Sequence, residues 1–327
     1  MTILVTGGAG FIGSHVVDRL YARGYEPRIF DRVRSPYVDG DVESIIGDVL
    51  DREALDRAAR GCEAVVHLAA VADVNDVAAD PARADHVNVR GTQHALDASR
   101  SNDVPRFVYA STVWVYGGAE ENGHFLDEDT PLVIPSHFYT ATKLAGEMYC
   151  RAYAESYELG QMTLRFGIPY GPRSRAAGVV AAFVSRALAS EPILIAGDGL
   201  QTRQFVYVED LAEGVVAALA DDAPPGVYNL VREETLTILQ IAEQVRELVA
   251  GVPIVHVESR RLDVQSRPVS AERAALKLGW RANTRIEEGI RSYVDWVTAT
   301  DRSPSPSADP IAGNSEATSL HEEPAAL

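Results

Sequence analysis

The chain has 327 residues, 46% hydrophobic and 24% charged, enough to bury a large core and to form two structural regions. Its net charge of −17 argues against nucleic acid or an anionic membrane surface as a main partner, since phosphate contacts need clustered Lys and Arg. Cys62 and Cys150 are its only cysteines, which excludes a disulfide framework and a cysteine-based metal site; no metal is expected, and the absence of a leader pattern or an 18-residue apolar run points to a cytoplasmic protein.

Thr2 to Thr6 is a short apolar β-branched run, followed by Gly7-Gly8-Ala9-Gly10-Phe11-Ile12-Gly13 and a helical pattern with Ile12, Val16 and Leu20 on one face. Glycines in a strand-to-helix turn let helix N-terminal amides approach a pyrophosphate, so Gly7, Gly10, Phe11, Ile12 and Gly13 are candidate dinucleotide contacts. A second strand, Glu26 to Phe30, ends at Asp31, 18 residues beyond Gly13. A carboxylate there accepts hydrogen bonds from an adenosine ribose and repels a 2′-phosphate, which favours NAD over NADP, although adjacent Arg32 blurs that preference.

Strands near Val42 to Ile46, Ala64 to Leu68 and Arg106 to Ala110 alternate with helical patterns at Asp51 to Arg60 and Arg90 to Ser101. Such alternation predicts parallel βαβ units in a doubly wound α/β sheet, with ligands at the carboxyl ends of the strands. Asp48-Val49, Leu68-Ala69-Ala70 and Ser111-Thr112 fall at such ends. From Gly167 the pattern becomes less regular and richer in loop arginines. A helix is expected at Gly178 to Ser190, strands at Pro192 to Ala196, Gln204 to Val208 and Val227 to Leu230, and helices at Asp210 to Ala220 and Leu236 to Val249. From Thr300 the composition of Ser, Pro, Ala and Glu predicts a disordered tail.

Tyr139 and Lys143 stand four residues apart at the start of a helical pattern, so both side chains leave one face. An ammonium about 5 Å from a phenol is worth roughly 3 kcal/mol at an effective dielectric near 20, or about two pKa units downward, which poises a base. The chain has only two lysines, Lys143 and Lys277, and otherwise uses arginine. A sequence that avoids lysine yet keeps one here uses the compact ammonium for a reason.

Together, Thr6 to Gly13, Asp48-Val49, His67-Leu68-Ala69-Ala70, Asn88-Val89-Arg90-Gly91-Thr92, Ser111-Thr112 four residues before Tyr116-Gly117, and Tyr139 with Lys143 resemble the extended short-chain dehydrogenase/reductase family. Within it they are most similar to NAD-dependent nucleotide-sugar epimerases and dehydratases. The resemblance implies a Rossmann domain over 1–166, with 204–222 contributing back to it, a smaller substrate domain over 167–299, bound NAD, and a homodimer. It implies Tyr139 as base, Lys143 as its support and ribose contact, Thr112 on the reacting hydroxyl, and Asn88 and Ser111 among the cofactor contacts, Ser111 also touching substrate. Arg203, in Gly199 to Leu211, would grip the nucleotide diphosphate; Arg260 would touch phosphate and Asp263 a ribose. Two departures stand out. Ile168 replaces an asparagine that commonly contacts the sugar nucleotide, and Val113-Trp114 occupy the places of the Asp-Glu pair that performs elimination in the family's 4,6-dehydratases.

The implied activity is 4-epimerisation of a UDP-hexose through a 4-keto intermediate. A nucleotide-sugar 4-ketoreductase, a uronate decarboxylase and a non-catalytic NAD(H)-sensing protein are the alternatives; Trp114 stands where the decarboxylases usually place a glutamate. Arg175, in a loop that borders the hexose by the family's layout, offers a bidentate partner for a C6 carboxylate and so raises UDP-glucuronate as a substrate.

Overall fold

The structure, a computed structural model, describes residues 1–38, 41–117, 125–176, 178–249, 251–258 and 267–300. Arg260, Asp263 and the tail from 301 onward therefore lie outside the described residues. In chain order the elements are β1 (Thr2–Thr6), α1 (Phe11–Ala22), β2 (Glu26–Asp31), β3 (Glu43–Ile46), α2 (Arg52–Ala59), β4 (Ala64–His67), α3 (Val74–Ala79) and α4 (Pro81–Asp85). A π-helical turn (His86–Arg90) leads into α5 (Gly91–Ser101), β5 (Arg106–Thr112), a 3-10 turn (Val113–Tyr116), α6 (Phe138–Tyr157), β6 (Gly160–Phe166), β7 (Ile168–Tyr170) and α7 (Val179–Leu188). The remainder is β8 (Ile193–Ala196), β9 (Thr202–Arg203), β10 (Phe205–Tyr207), α8 (Val208–Ala217), β11 (Gly226–Leu230), β12 (Leu236–Thr237), α9 (Ile238–Leu248), β13 (Ile254–Val257), α10 (Glu272–Leu278) and α11 (Ile286–Thr300).

Seven parallel strands form one sheet in the order β11-β6-β5-β4-β1-β2-β3. This is the doubly wound α/β architecture expected from the alternating pattern, and its order reverses between β1 and β4. The strands are buried on both sides. Ile3, Val5, Val66, Val108 and Leu164 pack beneath α1 and α8, while Leu4, Val65, Phe107 and Tyr109 pack beneath α2, α5 and α6. The helix α6 can lie close because it carries Gly146 where it crosses β5. A Cβ there would sit 2.1 Å from the Tyr109 hydroxyl.

A second core gathers Phe183 and Val184 of α7, Ile193 and Ile195 of β8, Ile241 and Val245 of α9, and Ile290 and Tyr293 of α11. Two parallel strand pairs, β7 with β10 and β8 with β13, and the short antiparallel pair β9 with β12 surround it. The stretch from Val206 through Leu219 returns to the first core, where α8 packs on α1.

Several element bounds differ from the sequence expectation. The helix expected from Asp210 starts at Val208, and the one expected from Leu236 starts at Ile238 because Thr237 and Gln240 form a reciprocal cap. Between Ala70 and Arg90 the sequence shows no periodicity, yet α3 and α4 form there. They are too short to display a repeat, and each is started by a capping aspartate, Asp73 and Asp80, with Pro81 in the first turn of α4. No described helix is long and apolar enough to cross a membrane.

His67, at the end of β4, is buried among Thr6, Thr92 and the Phe107 and Tyr109 rings. The Thr92 hydroxyl donates to the Asn88 carbonyl (2.6 Å), so it accepts from His67 Nε2 (3.1 Å), leaving Nδ1 to accept from the Thr6 hydroxyl (2.8 Å). Burial first, and the Lys143 charge second, push the imidazole down to about 3 from its ordinary 6.5. Above pH 6.5 neither state binds a proton there; as pH falls below it the unfolded chain takes up a proton that the folded one refuses until about pH 3. Stability is lost across that window, by about 1.4 kcal/mol per pH unit at most. His67→Gln should remove this component, so urea unfolding at pH 7 and pH 5 should show the variant losing about 2 kcal/mol less than the parent. Equal losses would mean that His67 titrates normally in the folded protein.

Candidate active site

The carboxyl ends of β1, β2, β4, β5 and β6 open into one cleft of about 1250 Å³, whose far wall is built by β7, α7, β8 and β9. The glycine turn forms its floor. Gly7 has φ 73°, and a Cβ at Gly13 would stand 2.1 Å from the Gly7 carbonyl oxygen, so the turn closes on itself only without side chains. Gly10 caps α1 with no side chain bonded to the helix amides, and the first turn carries no acidic residue. A helix N-terminus of that kind accepts an anion. Asp31 takes the Ala9 amide on one carboxylate oxygen (3.0 Å), and Asp48 pairs with Arg32 (3.7 Å) on the same rim. Gly7, Gly10, Phe11, Ile12, Gly13, Asp31, Asp48, Val49, Leu68, Ala69 and Ala70 all line the cleft. A glycine cradle at one helix N-terminus, flanked by a ribose-binding carboxylate, fits a dinucleotide.

Asn88 does not line the cleft. Its buried amide accepts from Val71 N (2.7 Å) and donates to Val71 O (3.0 Å) and to the Thr142 hydroxyl (3.0 Å). Both of its N–H donors are taken within the protein, so it ties the loop after β4 to the start of α6. Thr142 passes the tie on by donating to the Tyr139 carbonyl (2.8 Å). The π-helical turn is the local irregularity that aims Asn88 inward.

Tyr139 and Lys143 both line the cleft, beside Ala110 and Ser111 at the end of β5. The Lys143 ammonium is buried, donates to the Ala110 carbonyl (2.8 Å) and lies 5.2 Å from the centre of the Tyr109 ring. Burial brings Lys143 down to about 8, opposed by Cys150 and Glu147. Tyr139, half-buried, is pushed up to about 12 by burial alone. In the protein by itself, therefore, desolvation outweighs the downward pull on Tyr139 expected from helix spacing. The ammonium is turned to the β5 carbonyl.

Trp114 lies edge-on to Tyr139 (6.1 Å between ring centres) and to His137 (5.5 Å), and all three line the cleft. Thr112 sits just behind the lining. It is 7% exposed, and its hydroxyl oxygen accepts from Trp114 N (3.2 Å), which leaves its proton free to be donated. Ser111 also lines the cleft, and its hydroxyl donates to the buried Glu147 carboxylate. Arg165 grips the same carboxylate with two nitrogens, at 2.7 and 3.0 Å, and the two side chains are each 4% exposed. Glu147, Arg165 and His137 escaped the sequence reading; the available signal was that Glu147 follows Lys143 by one helical turn on the same face.

On the far wall, Arg203 of β9, Arg175 and Ile168 all line the cleft, Arg203 donating also to the Thr202 carbonyl (2.8 Å). The asparagine position is thus apolar surface facing the ligand space. Arg83 of α4 lines the near wall and was not anticipated. Among the described residues no group of three or more His, Cys, Asp or Glu could hold a metal ion.

Comparison with known proteins places this geometry. The model of the NAD dependent epimerase/dehydratase family matches residues 3–230. A low-salt glycan biosynthesis protein from Haloferax volcanii is 31% identical over 313 residues, covering 92% of this chain and 100% of that protein. Among solved structures, UDP-glucose 4-epimerase from Thermotoga maritima with UDP-glucose superposes with a TM-score of 0.86 at 32% identity, covering 92% of this chain and 99% of that one. UDP-glucuronic acid 4-epimerase from Bacillus cereus, in complex with UDP-glucuronic acid and NAD, gives 0.84 at 28% identity, covering 92% and 100%. The chain spans 47% of a trifunctional enzyme of Arabidopsis thaliana that includes a UDP-glucose 4,6-dehydratase, at 29% identity.

The role of Asn88 as a tie is open to direct measurement. Asn88→Ala removes the partner of the half-buried Val71 amide and carbonyl and of the Thr142 hydroxyl, and the expected cost is about 1 to 3 kcal/mol in urea unfolding. Unchanged stability would return Asn88 to the list of candidate ligand contacts.

Proposed function

The chain belongs to the NAD dependent epimerase/dehydratase family, and we propose that within it the protein is a 4-epimerase of a UDP-sugar, acting on a UDP-hexose such as UDP-glucose and UDP-galactose or on UDP-glucuronate. Residues 1–166, with 204–222, bind NAD in this reading, and 167–299 carry the sugar nucleotide. NAD, when bound, supplies the acceptor that takes and returns the C4 hydride, and a positive ring whose charge favours the phenolate of Tyr139.

Tyr139 removes the proton of the C4 hydroxyl and returns it after the 4-keto sugar has turned over. Thr112 donates its free hydroxyl proton to the same oxygen, and Lys143 stabilises the phenolate by its charge. The Gly7–Gly13 turn and the α1 amides hold the dinucleotide pyrophosphate, Asp31 disfavours a 2′-phosphate on its ribose, and Asp48 is a further cofactor contact. Arg203, with Arg260 and Asp263, engages the UDP moiety. Arg175 has a place on the hexose side of the cleft and is the candidate for a C6 carboxylate. A homodimer belongs to the same reading, and two free buried cysteines suit the reducing cytoplasm.

The observation that carries the epimerase reading over dehydration or decarboxylation is Trp114. Elimination of water from C5 and C6 needs a carboxylic acid and a base beside the catalytic threonine, whereas Val113 and an indole edge-on to Tyr139 stand there. Neither accepts or donates the protons an elimination requires.

Incubation with UDP-glucose, UDP-galactose and UDP-glucuronate separately, followed by NMR and mass analysis, tests the proposal. The expected products are C4 epimers of unchanged mass, formed without added NADH by protein that carries NAD from purification. A product lighter by one water, or a need for stoichiometric NADH, would replace the epimerase by a dehydratase or a ketoreductase. Tyr139→Phe should lower turnover at least about a hundredfold with the fold intact. If UDP-glucuronate is turned over, Arg175→Ala should cost it about ten- to a hundredfold while UDP binding stays; equal losses for UDP would assign Arg175 to the diphosphate.

A further inference from the structure

Two consecutive residues at the end of β5 are fastened to two residues one turn apart on α6. The Ala110 carbonyl accepts from the Lys143 ammonium (2.8 Å), and the Ser111 hydroxyl donates to Glu147. Arg165 of β6 closes the arrangement from the next strand by its two-nitrogen grip on Glu147, and its remaining nitrogen donates to the Tyr116 hydroxyl (2.8 Å). Tyr116 in turn donates to Asn229 of β11 (2.8 Å). Thr112, the next residue on β5, and Tyr139, one turn before Lys143 on α6, are therefore held in mutual register by groups that do not themselves meet the sugar.

We propose that Glu147 is a positioning residue that sets the end of β5 against α6 and supplies the buried negative charge that keeps the Lys143 ammonium protonated. The groups facing that ammonium are few. On its own helix they are Cys150 and Glu147; β5 contributes the Tyr109 ring and the Ala110 carbonyl, β4 contributes His67, and Arg165 reaches it only through Glu147. Burial pushes the Cys150 thiol and the Tyr109 phenol well above their usual ranges and Tyr139 up to about 12, so all three are neutral near pH 8. His67 is neutral there too. Among the described groups that face Lys143, Glu147 is left to supply the negative charge that offsets its burial. One turn of helix away, a unit charge at an effective dielectric near 20 moves a pKa by about two units, and because Arg165 opposes Glu147 the pair taken together moves it by about one.

Two lysines in the whole chain make the test direct. Protein labelled with carbon-13 at lysine Cε gives two side-chain signals, assigned by Lys277→Arg, and their pH titration reads Lys143 without substrate or turnover. In the parent protein Lys143 should titrate well below its ordinary 10.5. Glu147→Gln keeps an oxygen for Ser111 and Arg165 while deleting the charge and leaving Arg165 in place, and should move that midpoint down by about two pH units, leaving Lys277 unmoved. Should that variant fail to fold, Glu147→Gln combined with Arg165→Met removes the ion pair as a unit, and the midpoint should still fall. A Lys143 midpoint that stays in place in a folded variant overturns the inference. Its catalytic consequence, a matching downward shift of the alkaline limb of kcat, rests on the functional reading above. A lysine midpoint that shifts in a protein inactive on UDP-sugars sustains the charge role of Glu147 and overturns that functional reading instead.

Discussion

The buried pairing of Glu147 with Arg165 is the constraint on which the active-site geometry rests. Burying two charges is costly, and a pair of this kind contributes little net stability compared with well-packed apolar side chains. What it provides is a fixed relation among three neighbouring elements: β6 holds Arg165, α6 holds Glu147 and Lys143, and β5 offers Ser111 and Ala110 to both. A second polar strut, from Val71 through Asn88 to Thr142, fixes the start of the same helix from the β4 side. The helix bearing Tyr139 is thus located from two directions by groups whose hydrogen-bonding capacity is used up within the protein.

That economy explains why the site is built on the sheet ends rather than on flexible loops. Strand ends at the reversal of strand order leave a crevice, and the helices after them bring their N-termini to its rim. The far wall is different in kind, made from short strand pairs and a separate core, and it presents arginines beside the apolar patch of Ile168. The two walls divide the work in the proposed reading: the sheet side holds the dinucleotide and the proton-transfer groups, and the other side reads the sugar nucleotide.

Much of the sheet side was legible in the sequence because its signals are local. The glycine turn, Asp31 at the end of β2 and the Tyr139–Lys143 spacing each announce their geometry within a few residues. Asn88 was legible as a site-proximal residue but not as a strut, since its partners Val71 and Thr142 are 17 and 54 residues away. Ser111 was legible as a residue of the cleft, while its donation to Glu147, 36 residues away, was not. The charge coupling between Lys143 and Tyr139 was overestimated from spacing, because spacing says nothing about desolvation or about the Ala110 carbonyl that captures the ammonium. The short helices α3 and α4 were missed for a plainer reason: five or six residues cannot display a helical period.

In the proposed reading Trp114 sets this site apart from the elimination chemistry of dehydratase relatives, and a reversible oxidation at C4 is the central claim. The most direct measurement is the fate of the hydrogen on that carbon. A UDP-sugar substrate carrying deuterium at C4 should yield an epimer that keeps the label at C4 in ordinary water, because the hydride leaves and returns within one closed site. Loss of the label to solvent, or its recovery at another carbon of a dehydrated product, would contradict the account.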